Sequence, residues 1–463
     1  MPLTPGRGEL GIVLHTHMPY VEGYGTWPFG EEWLWEAIAT SYLPLLDVLG
    51  RAPITLSLTP VLCDQLEADG VLERCLAFLR EVRPESHRLD IEAFHGRGEP
   101  EPVAELERSA AEYAAAADRL AALGVAGRGG GLLGALGEHS SWTSSASHAV
   151  LPLLCTDAGI ELQLRTGIAS HRRRFGDWAG GFWLPECAHA PWLHQPLEEA
   201  GVRSCCVELT DRFGLGDPRH LRPLQTNDGP VLWPIDRATI GLVWGAHGYP
   251  ASPGYRAYDR RTERDHRIWA IDGSVYQPDR ASGLALEHAR DFVARVRARV
   301  ADGGLCVCAL DTELLGHWWY EGVRWLDAVV DQAAAQGLGL TTLDAALERH
   351  QPVPAPPGLG VSSWGEGGDL RTWSAPCVAD FAWSARTAEL NAFAAAGTPS
   401  ERALRELLAL QASDWAFISY RDWAGEYPRQ RVREHVAALE RALSGAADLD
   451  PSVRNLAPVL AGA

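Results

Sequence analysis

The stretch Glu9-Leu-Gly-Ile-Val-Leu-His15 predicts a buried strand that ends on a polar cluster, because an uninterrupted apolar run is typical of a strand covered on both faces. Similar short runs recur at 54–58, 181–184, 204–207, 239–243 and 305–310. Helical patterns lie between many of these runs, for example over 32–49, 193–200 and 284–300. Strands that alternate with helices indicate an α/β fold with a mainly parallel sheet.

Polar side chains follow the ends of several predicted strands: His15, His17, Glu186, Glu208 and Asp311. In a parallel barrel, the carboxyl ends of the strands form the rim on which active sites are built. A Rossmann sheet is the alternative, but no GxGxxG sequence opens a helix in this chain. We therefore expect a β/α barrel with its functional residues at this rim.

The chain is expected to divide near residue 350, where a proline-rich segment, Gln351-Pro-Val-Pro-Ala-Pro-Pro-Gly-Leu-Gly360, can continue neither a helix nor a strand. Beyond this segment the pattern is mainly helical, over 377–395, 401–411 and 429–443. We predict a catalytic barrel over residues 1–350, with helical and loop insertions at about 90–147 and 210–268, and a helical domain over residues 351–463.

The composition excludes several kinds of function. The net charge of −19 argues against a nucleic-acid partner or an anionic membrane surface, since both favour clustered positive charge. The sequence contains no lysine, so all 41 residues counted as Lys and Arg are arginine. Schiff-base and pyridoxal chemistry and the P-loop all require a lysine. We expect no cofactor, and the sequence leaves the oligomeric state open.

The cysteines indicate a reduced protein. Their number, nine, is odd, Cys205 and Cys206 are adjacent, and no CxxC pair occurs, so neither a disulfide framework nor a zinc ribbon is predicted. The first residues lack a basic region followed by an apolar run, and no stretch reaches transmembrane length. We expect a cytoplasmic protein without a membrane partner.

Two strand-end carboxylates are the candidate catalytic groups. Glu186 ends Phe182-Trp-Leu-Pro-Glu186, and Asp311 opens Asp311-Thr-Glu-Leu-Leu-Gly-His-Trp-Trp-Tyr-Glu321. Glycoside cleavage needs two carboxyl groups that flank one bond, and tryptophan faces stack on sugar rings. The simpler alternative is a structural role for either carboxylate and a core position for most of the 18 tryptophans.

The pair His15-Thr-His17 has two functional interpretations, because side chains two residues apart on a strand point the same way. The two imidazoles could ligate a metal, as in a metal-dependent polysaccharide deacetylase, or they could hydrogen-bond to sugar hydroxyls. The metal interpretation has no clear set of further ligands, so we favour sugar binding and predict no metal. Two histidines buried in the core are the third alternative.

Several further motifs follow in a fixed order along the chain. His15-Thr-His-Met-Pro-Tyr-Val and Trp27-Pro-Phe-Gly-Glu-Glu come first, and Gly181-Phe-Trp-Leu-Pro-Glu-Cys-Ala comes next. The segment that Asp311 opens is followed by Ser363-Trp-Gly-Glu-Gly-Gly-Asp-Leu-Arg-Thr-Trp373 and by Ser413-Asp-Trp415. Together they resemble glycoside hydrolase family 57, in particular its branching-enzyme subgroup.

The resemblance implies a distorted seven-stranded β/α barrel and a C-terminal helical domain that closes over the substrate cleft. By matching position, Glu186 would be the nucleophile and Asp311 the general acid and base. An α-glucan would be the substrate, and no metal ligand is implied. The residues expected to bind it are His15, His17, Trp27, His148, Tyr249, Arg256, Trp269, Gly273, His317, Trp364, Trp373 and Asp414.

The activity implied is that of a retaining branching enzyme, which cleaves an α-1,4 linkage and transfers the glucan chain to a 6-hydroxyl through a covalent intermediate. An α-1,4-glucan hydrolase or a 4-α-glucanotransferase of the same family is the near alternative, and a metal-dependent deacetylase is the distant one. The chain departs from the family pattern between about 90 and 147, and it has Trp423 where a glutamine is expected.

Overall fold

The computed structural model describes residues 8–26, 29–124, 130–394, 399–445 and 455–460. Its sheet contains ten strands. They are β1 (Glu9–Thr16), β2 (Thr55–Leu58), β3 (Ser140–Ser144), β4 (Gly181–Trp183), β5 (Ser204–Val207), β6 (Leu224–Gln225), β7 (Val231–Pro234), β8 (Leu305–Asp311), β9 (Gly339–Leu340) and β10 (Val353–Pro354).

Seven of the strands form a parallel series in the order β7-β5-β4-β3-β2-β1-β8. The two ends of the series lie close together. Asp236, which follows β7, donates a hydrogen bond from its backbone N to Val307 O of β8 at 2.9 Å. β6 pairs antiparallel with β7, β10 pairs with β6, and β9 pairs with β1. The α/β fold with a distorted seven-stranded barrel is thus confirmed.

The strand β1 lies between β2 and β8 and is buried along its length. Its residues Leu10, Ile12, Val13 and Leu14 are almost fully buried, as expected for a parallel strand with helices on both faces. β1 pairs with β8 in a register that sets His15 opposite Asp311. The carboxyl ends of β1 and β8 therefore bring these two predicted site residues to the same rim.

The helices surround the sheet and continue beyond it. The α-helices are Glu32–Ala37, Leu43–Leu49, Pro60–Leu66, Val71–Ala77, Arg83–Arg97, Pro100–Leu123, Gly131–Gly137, Asp157–Phe175, His194–Glu199, Thr210–Phe213, Arg237–Trp244, Pro278–Arg299, Gly322–Gln336, Leu343–Arg349, Arg371–Ser374, Ala379–Ala394, Glu401–Leu410, Asp414–Tyr420 and Tyr427–Leu443. Two π-helical segments, Ile38–Tyr42 and Phe78–Val82, each join two α-helices.

The helices after residue 370 pack on the barrel through buried contacts. Their apolar cluster includes Tyr20, Val61 and Ala146 of the barrel region together with residues such as Leu404 and Trp415. The last four helices thus share one apolar core with the segments that follow β1, β2 and β3.

The fully buried carboxylate of Glu389 ties the helix Ala379–Ala394 to the barrel. It accepts hydrogen bonds from Thr156 N and from Cys155 N, at the start of the helix Asp157–Phe175. A negative group at a helix N-terminus is stabilised by the unpaired N–H groups there. This contact fixes the C-terminal helices against the rim.

The sequence interpretation was wrong for one strand. Residues 239–243 were expected to form a strand, but they lie in the helix Arg237–Trp244, and the strand β7 precedes them. β3 and β7 also fall inside the two stretches expected to be insertions, so parts of those stretches belong to the barrel. Within the described residues, no helix is long and apolar enough to cross a membrane.

Candidate active site

Glu186 follows β4 in a strained turn. Its backbone has φ 62° and ψ 21°, a left-handed conformation that is uncommon for a residue with a side chain. Pro185 precedes it, and the next residue, Cys187, also has a positive φ of 48°. The turn presents the carboxyl group at the rim, where its side chain is 13% exposed. Such strain persists only where surrounding contacts hold it, and it is frequent at functional sites.

Two donors hold the carboxyl group of Glu186. Trp364 Nε1 donates to Oε2 at 2.8 Å, and Ser413 Oγ donates to Oε1 at 2.9 Å. Trp364 N also donates to the Glu186 carbonyl at 3.0 Å. Burial raises the pKa of Glu186, and the two side-chain hydrogen bonds oppose this rise because they favour the ionised form.

Asp311 lies at the end of β8 in a different electrostatic environment. Burial raises the pKa of Asp311 well above its usual value, and the negative charges of Glu313 and Glu186 raise it further. The surroundings of Asp311 therefore favour its protonated form. Two neighbouring carboxyl groups whose surroundings separate their pKa values are the arrangement that an acid and a nucleophile require.

Three histidines stack beside these carboxyl groups. The ring of His148 lies 4.0 Å from that of His17 and 4.8 Å from that of His15, and His15 stacks on Trp183 at 4.6 Å. His15 Nε2 lies 2.9 Å from His148 Nε2. Burial lowers the pKa of both His15 and His148 well below the usual value, and neighbouring histidines lower it further. These two imidazoles are neutral.

His17 differs from its two neighbours because it has carboxylate partners. Its Nε2 lies 3.0 Å from Asp414 Oδ1, its Nδ1 lies 3.2 Å from Thr59 Oγ1, and its backbone N donates to Glu313 Oε1 at 3.1 Å. Burial alone would lower the pKa of His17, but the charges of Asp414, Glu313 and Glu186 outweigh it and raise the pKa. Asp414 thereby connects the C-terminal helices to β1.

Of the remaining predicted residues, His317 and Trp373 lie on segments next to this cluster. His317 follows the Asp311 segment, its carbonyl accepts from Arg267 Nη1 at 2.7 Å, and burial lowers its pKa to about 3. Trp373 is only 2% exposed and packs under Gly365, one residue after Trp364. Its buried position supports the loop that carries Trp364.

Four predicted residues make contacts elsewhere. Tyr249 donates to Asp291 at 2.7 Å, and Gly273 forms a turn with φ 91° in which a side chain would meet Arg260. The guanidinium of Arg256 pairs with Glu105 and lies between the rings of Tyr276 and Tyr320, and Trp269 packs against Phe94. None of these contacts is with Glu186 or Asp311. Trp27 lies outside the described residues.

Ser413, Thr59 and Glu313 complete the cluster, although sequence reasoning gave them no role. The sequence offered a signal for two of them. Glu313 follows the predicted catalytic residue Asp311 by two positions, and Ser413 directly precedes the predicted binding residue Asp414. Among the described residues, no group of three or more His, Cys, Asp or Glu side chains is placed to hold a metal ion. His15 and His17 instead use their nitrogens on His148, Asp414 and Thr59.

Comparisons with known proteins agree with this arrangement. Residues 137–355 match the family model described as glycosyl hydrolase family 57, and residues 387–457 match the model for the C-terminal region of 1,4-alpha-glucan branching enzymes. A crystal structure of an α-amylase, AmyC, from Thermotoga maritima shares the fold with a TM-score of 0.77 at 23% identity, covering 96% of this chain and 95% of that one.

Two relatives are more similar. The 1,4-alpha-glucan branching enzyme TK1436 of Thermococcus kodakarensis is 31% identical over 94% of this chain and 73% of its own length. The crystal structure of a family 57 branching enzyme from Pyrococcus horikoshii has a TM-score of 0.85 at 31% identity, covering 96% of this chain and 92% of that chain. With such identity over nearly its whole length, the chain belongs to glycosyl hydrolase family 57, with the C-terminal region of that family's branching enzymes.

Proposed function

We propose that the protein is a 1,4-α-glucan branching enzyme in which Glu186 is the nucleophile and Asp311 the general acid and base. The observation that carries the proposal is the contrast between the two carboxyl groups. Glu186 receives hydrogen bonds from Trp364 and Ser413, which favour its ionised form. Asp311 lies among negative charges that favour its protonated form.

The reaction would proceed by double displacement. In the first step Asp311 donates its proton to the glycosidic oxygen, the bond from that oxygen to the anomeric carbon breaks, and a carboxylate oxygen of Glu186 bonds to that carbon. In the second step the Asp311 carboxylate takes the proton of an acceptor 6-hydroxyl. The 6-oxygen then bonds to the anomeric carbon, and the ester to Glu186 breaks. This path predicts a carboxyl separation of roughly 5–5.5 Å.

The glucan would bind across the rim between the barrel and the C-terminal helices. Trp364 offers an indole ring beside the nucleophile, and His17 and Asp414 offer polar atoms for hydroxyl groups. Indole faces and such polar groups are typical of sugar sites. The negative charge of the chain, −19, does not oppose an uncharged polymer. All nine cysteines are free, which suits the reduced, cytoplasmic location that we also propose.

Hydrolysis is the second candidate function, and the position of Tyr249 favours it. The segment Trp244-Gly-Ala-His-Gly-Tyr249-Pro resembles the mobile loop of family 57 that carries a tyrosine important for branching. In the structure the ring of Tyr249 stacks on His288 at 4.7 Å and its hydroxyl binds Asp291, both on the helix Pro278–Arg299. A site that is not closed by such a loop admits water, and water then competes with the acceptor hydroxyl.

Incubation with amylose separates the two functions. We expect new α-1,6 linkages with few new reducing ends, measured by linkage analysis and by a reducing-sugar assay on the same samples. Reducing ends without branches would contradict the branching proposal and support hydrolysis. Glu186→Gln should abolish both products, whereas the exposed carboxylate variant Asp327→Asn should leave both unchanged.

A further inference from the structure

Ser413 connects Glu186 to two buried histidines through a chain of hydrogen bonds. The Ser413 hydroxyl lies 2.9 Å from Glu186 Oε1 and 2.8 Å from His148 Nδ1, and His148 Nε2 lies 2.9 Å from His15 Nε2. Ser413 N also donates to the His148 carbonyl at 3.1 Å. Ser413, His148 and His15 are 4%, 3% and 1% exposed. The chain is therefore shielded from solvent along most of its length.

The charge of Glu186 fixes the direction of every hydrogen bond in this chain. An ionised carboxylate only accepts hydrogen bonds, so the single hydroxyl proton of Ser413 goes to Glu186. The Ser413 oxygen then accepts from His148 Nδ1–H, which leaves Nε2 of the neutral His148 without a proton. His148 Nε2 accepts in turn from His15 Nε2–H. The remaining nitrogen, His15 Nδ1, is an acceptor, and it is buried with no hydrogen-bond partner among the described residues.

Protonation of Glu186 would disturb this order at either oxygen. A proton on Oε2 would meet the Trp364 N–H, which is itself a donor. A proton on Oε1 would require Ser413 to turn its hydrogen toward His148, which must then take the other tautomer. His15 must follow, and its Nδ1 would become a buried N–H without an acceptor. A buried N–H without an acceptor costs free energy, so this series of hydrogen bonds favours the ionised form of Glu186.

We propose that Ser413 is a positioning residue for the nucleophile: it directs Glu186 Oε1 and, with His148 and His15 behind it, keeps this carboxyl group ionised. The inference rests on the proposed function, because it takes Glu186 as the attacking group. Ser413 acts on Oε1, the oxygen that Trp364 does not contact. The histidines of this cluster then act on the nucleophile through Ser413 as well as on any sugar beside them.

The other titratable groups that face Glu186 come from three elements. Asp311 ends β8, Asp414 starts the helix Asp414–Tyr420, and His17 follows β1. Asp414 raises the pKa of Glu186 and His17 lowers it. None of these three groups is altered by removing the Ser413 hydroxyl. A shift in the titration of Glu186 in a Ser413 variant therefore reports on the missing hydrogen bond.

The first test is the pH profile of kcat/KM for Ser413→Ala with amylose. Because the lost donor favoured the ionised form, the pKa of Glu186 should rise and the acidic limb should move to higher pH, by about one unit. The kcat at the pH optimum should fall by about tenfold to a hundredfold. Ser413→Thr restores a hydroxyl and should recover part of both. A fall in kcat with an unmoved acidic limb would overturn the proposal.

Ser109→Ala is the matched control. Ser109 is also a buried serine whose Oγ lies 3.2 Å from a histidine nitrogen, His87 Nε2, but this pair joins the helices Arg83–Arg97 and Pro100–Leu123 away from Glu186. Its variant should leave the acidic limb in place. If Ser109→Ala moved that limb as much as Ser413→Ala, the shift would reflect general loosening of the fold, and the proposal would fail.

A second measurement needs no turnover. Nitrogen NMR of histidine-labelled wild-type protein at neutral pH should show His148 with its proton on Nδ1 and His15 with its proton on Nε2, assigned by comparison with His148→Gln and His15→Gln. The opposite tautomers would refute the proposed direction of the chain. Absence of glycosyl transfer with these tautomers present would instead count against the proposed function alone, so the two failures are distinguishable.

Discussion

His17 Nε2 lies 3.0 Å from Asp414 Oδ1, and both side chains are 11% exposed. This contact joins the end of the first barrel strand to a helix of the C-terminal region, although the two residues are 397 positions apart in the sequence. The pKa of His17 is raised even though burial alone would lower it, because Asp414, Glu313 and Glu186 together outweigh burial. The pair is therefore both a contact of the site and a link between the barrel and the C-terminal helices.

Asp414→Asn should destabilise the protein more at pH 6 than at pH 8. A histidine whose folded pKa is raised contributes stability that is complete below its unfolded pKa, about 6.5, and is lost as the pH rises through the folded pKa. We expect a loss of about 2 kcal/mol at pH 6, typical of a buried hydrogen bond to a charged group. Urea unfolding at both pH values measures it. Asp380→Asn, in an exposed pair with Arg429, is the control, and an equal loss at both pH values would refute the pairing.

Trp364→Phe should lower kcat, although the variant keeps an aromatic ring at this position. The change removes the Nε1–H that donates to Glu186 Oε2, so the pKa of Glu186 should rise and the acidic limb of kcat/KM should move to higher pH. We expect kcat to fall by about tenfold or more. Trp325→Phe is the matched control, because the buried Trp325 Nε1 has no hydrogen-bond partner within the part of the chain that the structure describes. Equal effects of the two variants would show that packing alone is responsible.

The sequence predicted β1, β2, β4, β5 and β8 from their apolar runs, but it missed the polar strand β3 and the short apolar strand β7. β3, Ser-Ser-Trp-Thr-Ser, was overlooked because its hydroxyl groups suggest a loop, yet Ser144 Oγ donates to Trp183 O at 2.8 Å and is fully buried. The run 239–243 was mistaken for a strand because a short apolar run has no clear period. Its buried residues Thr239, Ile240 and Val243 have the spacing of one helix face.

The candidate active site was predictable in part for a geometric reason. His15 and Asp311 lie at the ends of β1 and β8, Glu186 follows β4, and parallel strands bring their carboxyl ends together. The partnership of Ser413 with Glu186 depends on how a distant helix packs on the rim, and no local pattern encodes it. Likewise the resemblance to family 57 implied that Arg256 binds substrate, and the fold buries this side chain beside Glu105. The domain division near residue 350 and the substrate contacts stay predictions.

Glu313→Gln should move the basic limb of kcat/KM to lower pH. After burial, the charge of Glu313 is the largest cause of the raised pKa of Asp311, and burial raises the pKa of Glu313 itself to about 7. Removing that charge lowers the pKa of Asp311, so the acid loses its proton earlier. Tyr42 OH and His17 N donate to Glu313 Oε1 at 2.6 and 3.1 Å. Glutamine keeps an oxygen that can accept both hydrogen bonds.

The pH profile with amylose tests this expectation. The variant Asp331→Asn removes an exposed carboxylate that pairs with Arg51 and should leave the basic limb unchanged. A basic limb that stays in place or moves to higher pH in Glu313→Gln would mean that Asp311 is not the group whose ionisation ends activity.

Tyr249→Phe should lower the free energy of unfolding and leave the ratio of new branches to new reducing ends unchanged. The Tyr249 hydroxyl donates to Asp291 at 2.7 Å, and the ring stacks on His288, so the residue anchors its segment to the helix Pro278–Arg299. Loss of one such hydrogen bond costs about 1 kcal/mol, measurable by urea unfolding. A fall in the branch ratio at unchanged stability would contradict this anchoring role. It would show that the tyrosine leaves Asp291 to reach the acceptor during turnover, as the loop of a branching enzyme must if it is to keep water from the glycosyl intermediate.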